Sequence, residues 1–178
     1  MALPWKRFWV PLGSEIACGV SGQGFLDDPE SGRFSVNKAA QHLDNLLSER
    51  CLVLLGEPGL GKSTALEQAF PGICPPSNGD ATTIWIRFRD IPDASVFTRR
   101  VLESTRWRSW LQGDHELTVV LDGLDEGLIK IKDFLSFVTF EFRSGPVDRL
   151  RFIAACRTTD WPTAARVPWP PAAALFGV

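Results

Sequence analysis

A short glycine-rich segment constrains the fold more than any other part of the sequence. It follows an uninterrupted apolar run at residues 52–55, and it precedes a stretch at 63–70 with the composition of a short helix. A continuous apolar run of this length is typical of a strand that is buried on both faces. The segment itself is Gly56-Glu57-Pro58-Gly59-Leu60-Gly61-Lys62-Ser63. A strand, a glycine-rich turn and a helix in this order predict one unit of an α/β fold.

The spacing of the glycines, the lysine and the serine matches a loop that binds phosphate groups, the P-loop. Phosphate oxygens need several backbone N–H donors in a small concavity, and a glycine-rich turn lets the backbone come that close. Lys62 would reach the β- and γ-phosphates, Ser63 would bind Mg²⁺, and the positive end of the following helix would face the anion. We therefore expect ATP or GTP with Mg²⁺, bound by Gly56, Glu57, Pro58, Gly59, Leu60, Gly61, Lys62, Ser63 and Thr64.

Asp122 is the second residue to which the sequence assigns a role in binding Mg²⁺. It follows another buried apolar run, residues 117–121, and we expect that strand to lie next to the strand before the glycine-rich segment. An acid at the end of such a strand holds Mg²⁺ mostly through water, because this ion keeps part of its hydration shell. The predicted metal ligands are thus Ser63 and Asp122. The alternative for Asp122 is a cap or turn residue that binds no metal.

The rest of the chain alternates between strand-like and helix-like patterns. Further strands are expected at residues 82–88, near a sheet edge, and at 149–155. Helices are expected at residues 36–47, with Ser35 as the cap, at 94–111 and at 131–142. This alternation indicates an α/β protein with a largely parallel sheet sandwiched by helices.

We expect the strand at residues 51–55 in the centre of the sheet, with the strands at 117–121 and 149–155 beside it. The strand at 82–88 would lie farther out, and a final strand on the far side would be missing or irregular. The composition divides the chain into an irregular strap at residues 1–35, a core at 36–160 and a poorly ordered tail rich in proline and alanine at 161–178. The site should lie at the carboxyl ends of the strands.

Composition gives no support to several other classes of protein. A net charge of −2 gives no basic field for nucleic acid. No apolar run approaches the roughly 20 residues that span a bilayer, and no signal peptide is evident, so we expect a cytoplasmic protein without a membrane partner. The sequence has no CxxC pair and no histidine near a cysteine, so we expect no zinc site. We expect free thiols at Cys18, Cys51, Cys74 and Cys156.

Three segments together resemble the NACHT family, a branch of the STAND class of P-loop NTPases, in its bacterial form. They are Leu121-Asp122-Gly123-Leu124-Asp125-Glu126, Ile86-Arg87-Phe88-Arg89-Asp90 and the strand that ends at Cys156-Arg157. The resemblance implies a P-loop core of the additional-strand type with slow, Mg²⁺-dependent hydrolysis. By the same resemblance Asp125 or Glu126 would orient the attacking water, Lys62 would assist catalysis, and Arg157 would report the γ-phosphate. It also implies association into homo-oligomers and a role in signalling or defence.

The chain departs from that family after Arg157. Family members continue into a helical lid and a winged helix, whereas this sequence ends about 20 residues later, so we expect only the core of a switch. One alternative is a working ATPase with fast turnover and an arginine supplied by a neighbouring subunit. The candidates for that arginine are Arg99, Arg100, Arg106 and Arg108. A third hypothesis is a truncated gene product that binds nucleotide poorly or not at all.

Overall fold

The computed structural model describes residues 7–12, 40–70 and 82–162. The chain divides into two compact units, residues 1–48 and 49–178. In the first unit, β1 (Phe8–Trp9) pairs in antiparallel fashion with β2 (Gln41–His42). A single helical turn, α1 (Leu43–Leu46), follows β2 directly.

The prediction of a helix at residues 36–47 is wrong for about half of the residues described there, because only Leu43–Leu46 are helical. Gln41 and His42 are extended, with φ −70° and ψ 148° at His42. Their backbone groups pair with Phe8 and Trp9 across the small sheet. A sequence separation of more than thirty residues makes this pairing invisible to helical periodicity. Residues 36–39 and the predicted cap Ser35 lie outside the described part of the chain.

The second unit is an α/β fold whose four-stranded parallel sheet is flanked by helices. Its strands are β3 (Cys51–Leu55), β4 (Thr83–Arg87), β5 (Leu117–Asp122) and β6 (Leu150–Cys156), in the order β3-β6-β5-β4. Its helices are α2 (Lys62–Ala69), α3 (Ala94–Phe97), α4 (Thr105–Gln112) and α5 (Ile131–Phe142). The α/β class, the parallel sheet and the edge position of β4 confirm the predictions from the sequence.

The predicted order of the strands is wrong in one respect. In the sheet formed by the described residues, β3 lies at an edge and β6 separates it from β5. Burial explains this order, because β5 and β6 are buried at all but one position each, whereas β3 is fully buried only at Leu54. The strands that are covered on both faces occupy the middle of the sheet.

The helix predicted at residues 94–111 is interrupted. The carboxylate of Asp93 caps α3 by accepting a hydrogen bond from the N–H of Val96 at 3.0 Å. A π-helical turn, Thr98–Leu102, follows α3. Ser104 then adopts an extended conformation and accepts a hydrogen bond from the N–H of Trp107 at 3.1 Å, which starts α4. A serine in this position stabilises a new helix N-terminus rather than a helix interior.

Aromatic side chains hold α5 against the sheet. Phe134, Leu135, Val138 and Phe142 form a buried stripe along α5. The Phe142 ring lies 4.9 Å from the ring of Trp107 and 6.1 Å from that of Phe152 on β6. Close-packed protein interiors have low compressibility. The ends of the strands therefore form a firm base for the loops that follow them.

Two of the four cysteines fall within the described residues, Cys51 and Cys156, and both are free thiols as predicted. Burial raises the pKa of both, that of Cys156 to about 12. Cys18 and Cys74 lie outside the described part of the chain. No helix in that part is long and apolar enough to cross a membrane.

Candidate functional site

The carboxyl ends of β3, β5 and β6 meet at a cleft of about 300 Å³. The glycine-rich loop, residues 56–63, forms one wall together with the first turn of α2. The residues of this wall that line the cleft are Pro58, Gly59, Gly61, Lys62, Ser63 and Thr64. The opposite wall is formed by the segments that follow β5 and β6. Its lining residues are Asp122, Gly123, Asp125, Glu126 and Arg157.

Glycine is required at two positions of the loop. Gly59 and Gly61 have φ angles of 80° and 78°, in the left-handed region. Other residues adopt this conformation at a cost of about 1–2 kcal/mol each. Gly61 is also the residue from which α2 begins. The N–H of Gly56 donates to the carbonyl of Cys156 at 3.3 Å and so ties the start of the loop to β6.

Lys62 places a positive charge over the loop. Its Nζ donates to the carbonyl of Gly56 at 2.6 Å and to that of Glu57 at 3.1 Å. These contacts fold the side chain back along the concave side of the loop, where it lines the cleft. The ammonium and the N-terminus of α2 therefore attract anions to the same place.

Ser63 and Asp122 are joined although they are 59 residues apart. The Ser63 hydroxyl donates to Oδ1 of Asp122 at 2.8 Å. Only 7% of the surface of Asp122 is exposed. Burial raises the pKa of its carboxyl, and the hydrogen bond from Ser63 opposes that rise. Glu67 raises this pKa further, while Arg87 and Arg89 lower it.

These two side chains could supply oxygen ligands to a cation. Among the described residues no group of three or more His, Cys, Asp or Glu could hold a metal ion. A hydroxyl and a carboxylate nevertheless fit Mg²⁺, which binds oxygen and takes its other ligands from water and phosphate. A cation there would also favour the charged form of the buried Asp122.

A tight turn after β5 brings Glu126 back over the strand end. Gly123 has φ 71° and ψ 53°, and a 3₁₀ turn, Leu124–Glu126, follows it. The N–H of Glu126 donates to the carbonyl of Gly123 at 2.9 Å. A Cβ atom on residue 123 would lie 3.0 Å from Cδ of Glu126. The sequence indicates only that residue 123 is small, whereas the structure shows which side chain needs the space.

Asp125 and Glu126 are adjacent but occupy different surroundings. Nε of Arg157 forms an ion pair with Oδ2 of Asp125 at 2.7 Å, and the backbone N–H of Arg157 donates to Oδ1 of Asp125 at 3.0 Å. The Asp125 side chain is only 5% exposed, while that of Arg157 is 44% exposed. Glu126 is exposed, and its carboxylate makes no hydrogen bond or ion pair within the described residues. Sequence reasoning could not separate the two acids.

A second cleft of about 120 Å³ adjoins the first and shares Ser63, Asp122 and Glu126 with it. Glu67, Arg87 and Arg89 complete its lining, and the sequence assigned no role to these three. Their positions could have been found, because Glu67 lies one helical turn after Ser63 and Arg87 is in register with Asp122 on the neighbouring strand. Glu67 and Arg87 form a 3.2 Å ion pair that is partly exposed and therefore adds about 0–1 kcal/mol.

The remaining predicted residues line neither of the two clefts that the described residues form. Gly56, Glu57 and Leu60 belong to the loop but do not line either cleft as the described residues form them. The four arginines considered as donors to a neighbouring subunit also lie elsewhere, on the π-helical turn and α4: Arg99, Arg100, Arg106 and Arg108. They are exposed or partly exposed.

A scan of the sequence against protein-family models gives no match, and a comparison with curated proteins gives none either. The resemblance to the NACHT family therefore remains an interpretation of the motifs.

Proposed function

We propose that this chain binds a nucleoside triphosphate, ATP or GTP, with Mg²⁺ at the larger cleft and hydrolyses it slowly. The hydrogen bond between Ser63 and Asp122 carries the proposal. It joins the two residues that the sequence assigns to Mg²⁺, beside a loop with the spacing expected for phosphate. No local feature of either segment would require them to meet.

The glycine-rich loop supports the phosphate half of the proposal. Left-handed glycines at 59 and 61 shape the turn that leads into an eight-residue helix, α2, whose first backbone N–H groups have no partner within the helix. Converging N–H groups and a helix N-terminus bind phosphate by hydrogen bonds and by the helix dipole. Lys62 adds a full positive charge beside them.

Mg²⁺ bound by Ser63 and Asp122 would neutralise charge on the phosphate oxygens. Lys62 would stabilise the charge that develops on the transferring phosphoryl group, because it is fixed beside the loop before the reaction begins. Glu126 is suited to orient the attacking water, since its carboxylate is exposed and lines both clefts. Arg157 lines the larger cleft and is suited to contact the γ-phosphate.

The sheet order supports the finer proposal of a P-loop NTPase core of the additional-strand type. The strand β6 lies between β3, which leads into the loop, and β5, which ends in Asp122. The strand β6 is thus an additional strand between the strand before the loop and the strand that ends in Asp122. With the run from Asp122 to Glu126, this order favours a NACHT-like core, for which the resemblance implies homo-oligomers and a role in signalling or defence.

Calorimetry and a steady-state phosphate-release assay test the proposal together. The wild-type chain should bind ATP or GTP with Mg²⁺ and lose that binding in EDTA. Glu126→Gln should retain binding and lose roughly 10²–10⁴-fold in turnover, the usual contribution of a general base. The matched control is Glu103→Gln, because Glu103 is exposed and away from both clefts.

Absence of any Mg²⁺-dependent nucleotide binding by the folded wild-type chain would contradict the proposal and favour a non-enzymatic protein. Unchanged turnover in Glu126→Gln would reject the role of that residue and leave the binding proposal intact. Turnover above roughly one per second, within the ordinary range of enzymes, would favour the working ATPase over the slow switch.

A further inference from the structure

We infer that Asp125 is a positioning residue for Arg157, and that the preference for triphosphate over diphosphate, which the resemblance assigns to Arg157, depends on the contacts that Asp125 makes with it. The inference rests on the proposed function, because it assumes that the cleft binds nucleotide. The two acids of the turn then have separate tasks: Asp125 supports the preference for triphosphate over diphosphate, and Glu126 supports hydrolysis.

The carboxylate of Asp125 is engaged on both oxygens. Oδ1 accepts the backbone N–H of Arg157 at 3.0 Å, and Oδ2 contacts its Nε at 2.7 Å. With 5% of the side chain exposed, little of it is open to a water molecule. A group that orients or deprotonates water must reach it directly or through one intervening water. Asp125 is therefore poorly placed for that task, and the exposed Glu126 is better placed.

Two sets of contacts fix Arg157 at its base. Asp125 holds its N–H and its Nε, while the N–H of Trp161, a buried residue, donates to its carbonyl at 3.2 Å. Contact through Nε sets the plane of the guanidinium, and the side chain remains 44% exposed and lines the cleft. A long side chain loses much rotamer freedom when it binds a ligand, and a partner that already orders it removes part of that cost.

A nucleoside triphosphate has a γ-phosphate and a diphosphate does not. A residue that contacts the γ-phosphate therefore changes the ratio of the affinities for ATP and ADP. The experiment measures ATP and ADP affinity with Mg²⁺ by calorimetry for the full chain and its variants. Arg157→Ala should lower the preference for ATP over ADP by roughly tenfold to a hundredfold, the usual effect of losing a charged hydrogen bond. Asp125→Asn should lower the same ratio to a similar extent. Both oxygens of Asp125 face N–H groups of Arg157, and the amide of asparagine has only one oxygen that can accept.

The double variant Asp125→Asn with Arg157→Ala separates positioning from an independent role. If Asp125 acts through Arg157, the double variant should match Arg157→Ala alone. Matched controls are Asp133→Asn and Arg143→Ala, because both residues are exposed and lie at α5 away from the cleft. Melting temperatures confirm that every variant is folded before its affinity ratio is compared.

An unchanged ATP-to-ADP ratio in Asp125→Asn would overturn the inference, as would additive losses in the double variant. Slower turnover in Asp125→Asn with an unchanged ratio would instead make Asp125 a catalytic group. If Asp125→Asn does not fold, Arg157→Lys replaces it, because lysine keeps the charge but lacks Nε. That variant should lose as much preference as Arg157→Ala, and full retention would contradict the inference. A folded wild-type chain that binds neither nucleotide overturns the proposed function itself, and this inference with it.

Discussion

Replacing Gly123 by alanine perturbs the backbone and Glu126 at the same time. The residue has φ 71° and ψ 53°, a left-handed conformation that alanine adopts only with strain. The new Cβ would lie 3.0 Å from Cδ and 3.1 Å from Oε2 of Glu126. These atoms are at the end of a flexible side chain, so we expect the glutamate to move rather than the strand.

The backbone strain sets the loss of stability at about 1–2 kcal/mol. For a chain of 178 residues this loss lowers the unfolding midpoint by roughly 2–8 °C. Displacement of Glu126 adds little to that loss, but it moves the carboxylate out of its place in the two clefts that it lines with Asp122. Because small misplacements of a catalytic group cost much rate, we expect turnover to fall roughly tenfold to a hundredfold with nucleotide binding retained.

Thermal unfolding followed by circular dichroism measures the first effect, and phosphate release measures the second. Gly123→Asn provides the matched comparison, because asparagine tolerates the left-handed region better than alanine and still carries a Cβ atom. It should unfold closer to the wild-type temperature yet lose turnover like Gly123→Ala. Wild-type stability and turnover in Gly123→Ala would refute the reasoning about both the backbone and Glu126.

Two further predictions follow from burial. Asp122→Asn should raise the unfolding midpoint at neutral pH without Mg²⁺, because burial raises the pKa of Asp122 and its charge opposes folding. The gain should shrink as the pH falls through that raised pKa, and a lower midpoint at neutral pH would contradict it. Cys51 and Cys156 should react with iodoacetamide far more slowly in the folded chain than in urea, because burial raises both pKa values and thiolate is the reactive form. Rapid alkylation of either folded thiol, detected by mass spectrometry, would contradict this.

The sequence predicts those parts of the fold that depend on neighbouring residues. The apolar runs predict β3 and β5, the strand-like and helix-like patterns predict β4 and α5, and each of these elements forms where expected. The sequence also assigns Ser63 and Asp122 to one site, because the carboxyl ends of parallel strands share one edge of a sheet, whereas their direct hydrogen bond is seen only in the structure.

The failures concern contacts between distant residues. Strand order depends on which surfaces the helices cover, so β6 could not be placed between β3 and β5 from their own residues. The pairing of Gln41 and His42 with β1 likewise overrides their helical spacing. Asp125 differs from Glu126 in its contacts with Arg157, which lies 32 residues from Asp125 in the chain.

Calorimetry of Mg²⁺–ATP binding to wild type, Lys62→Ala and Lys132→Ala tests the central claim most directly. Lys62 supplies the positive charge over the glycine-rich loop, whereas Lys132 is an exposed residue of α5. We expect measurable binding by wild type and Lys132→Ala, and none by Lys62→Ala. Affinity close to that of wild type in a folded Lys62→Ala variant would contradict the assignment of the cleft as a nucleotide-binding site.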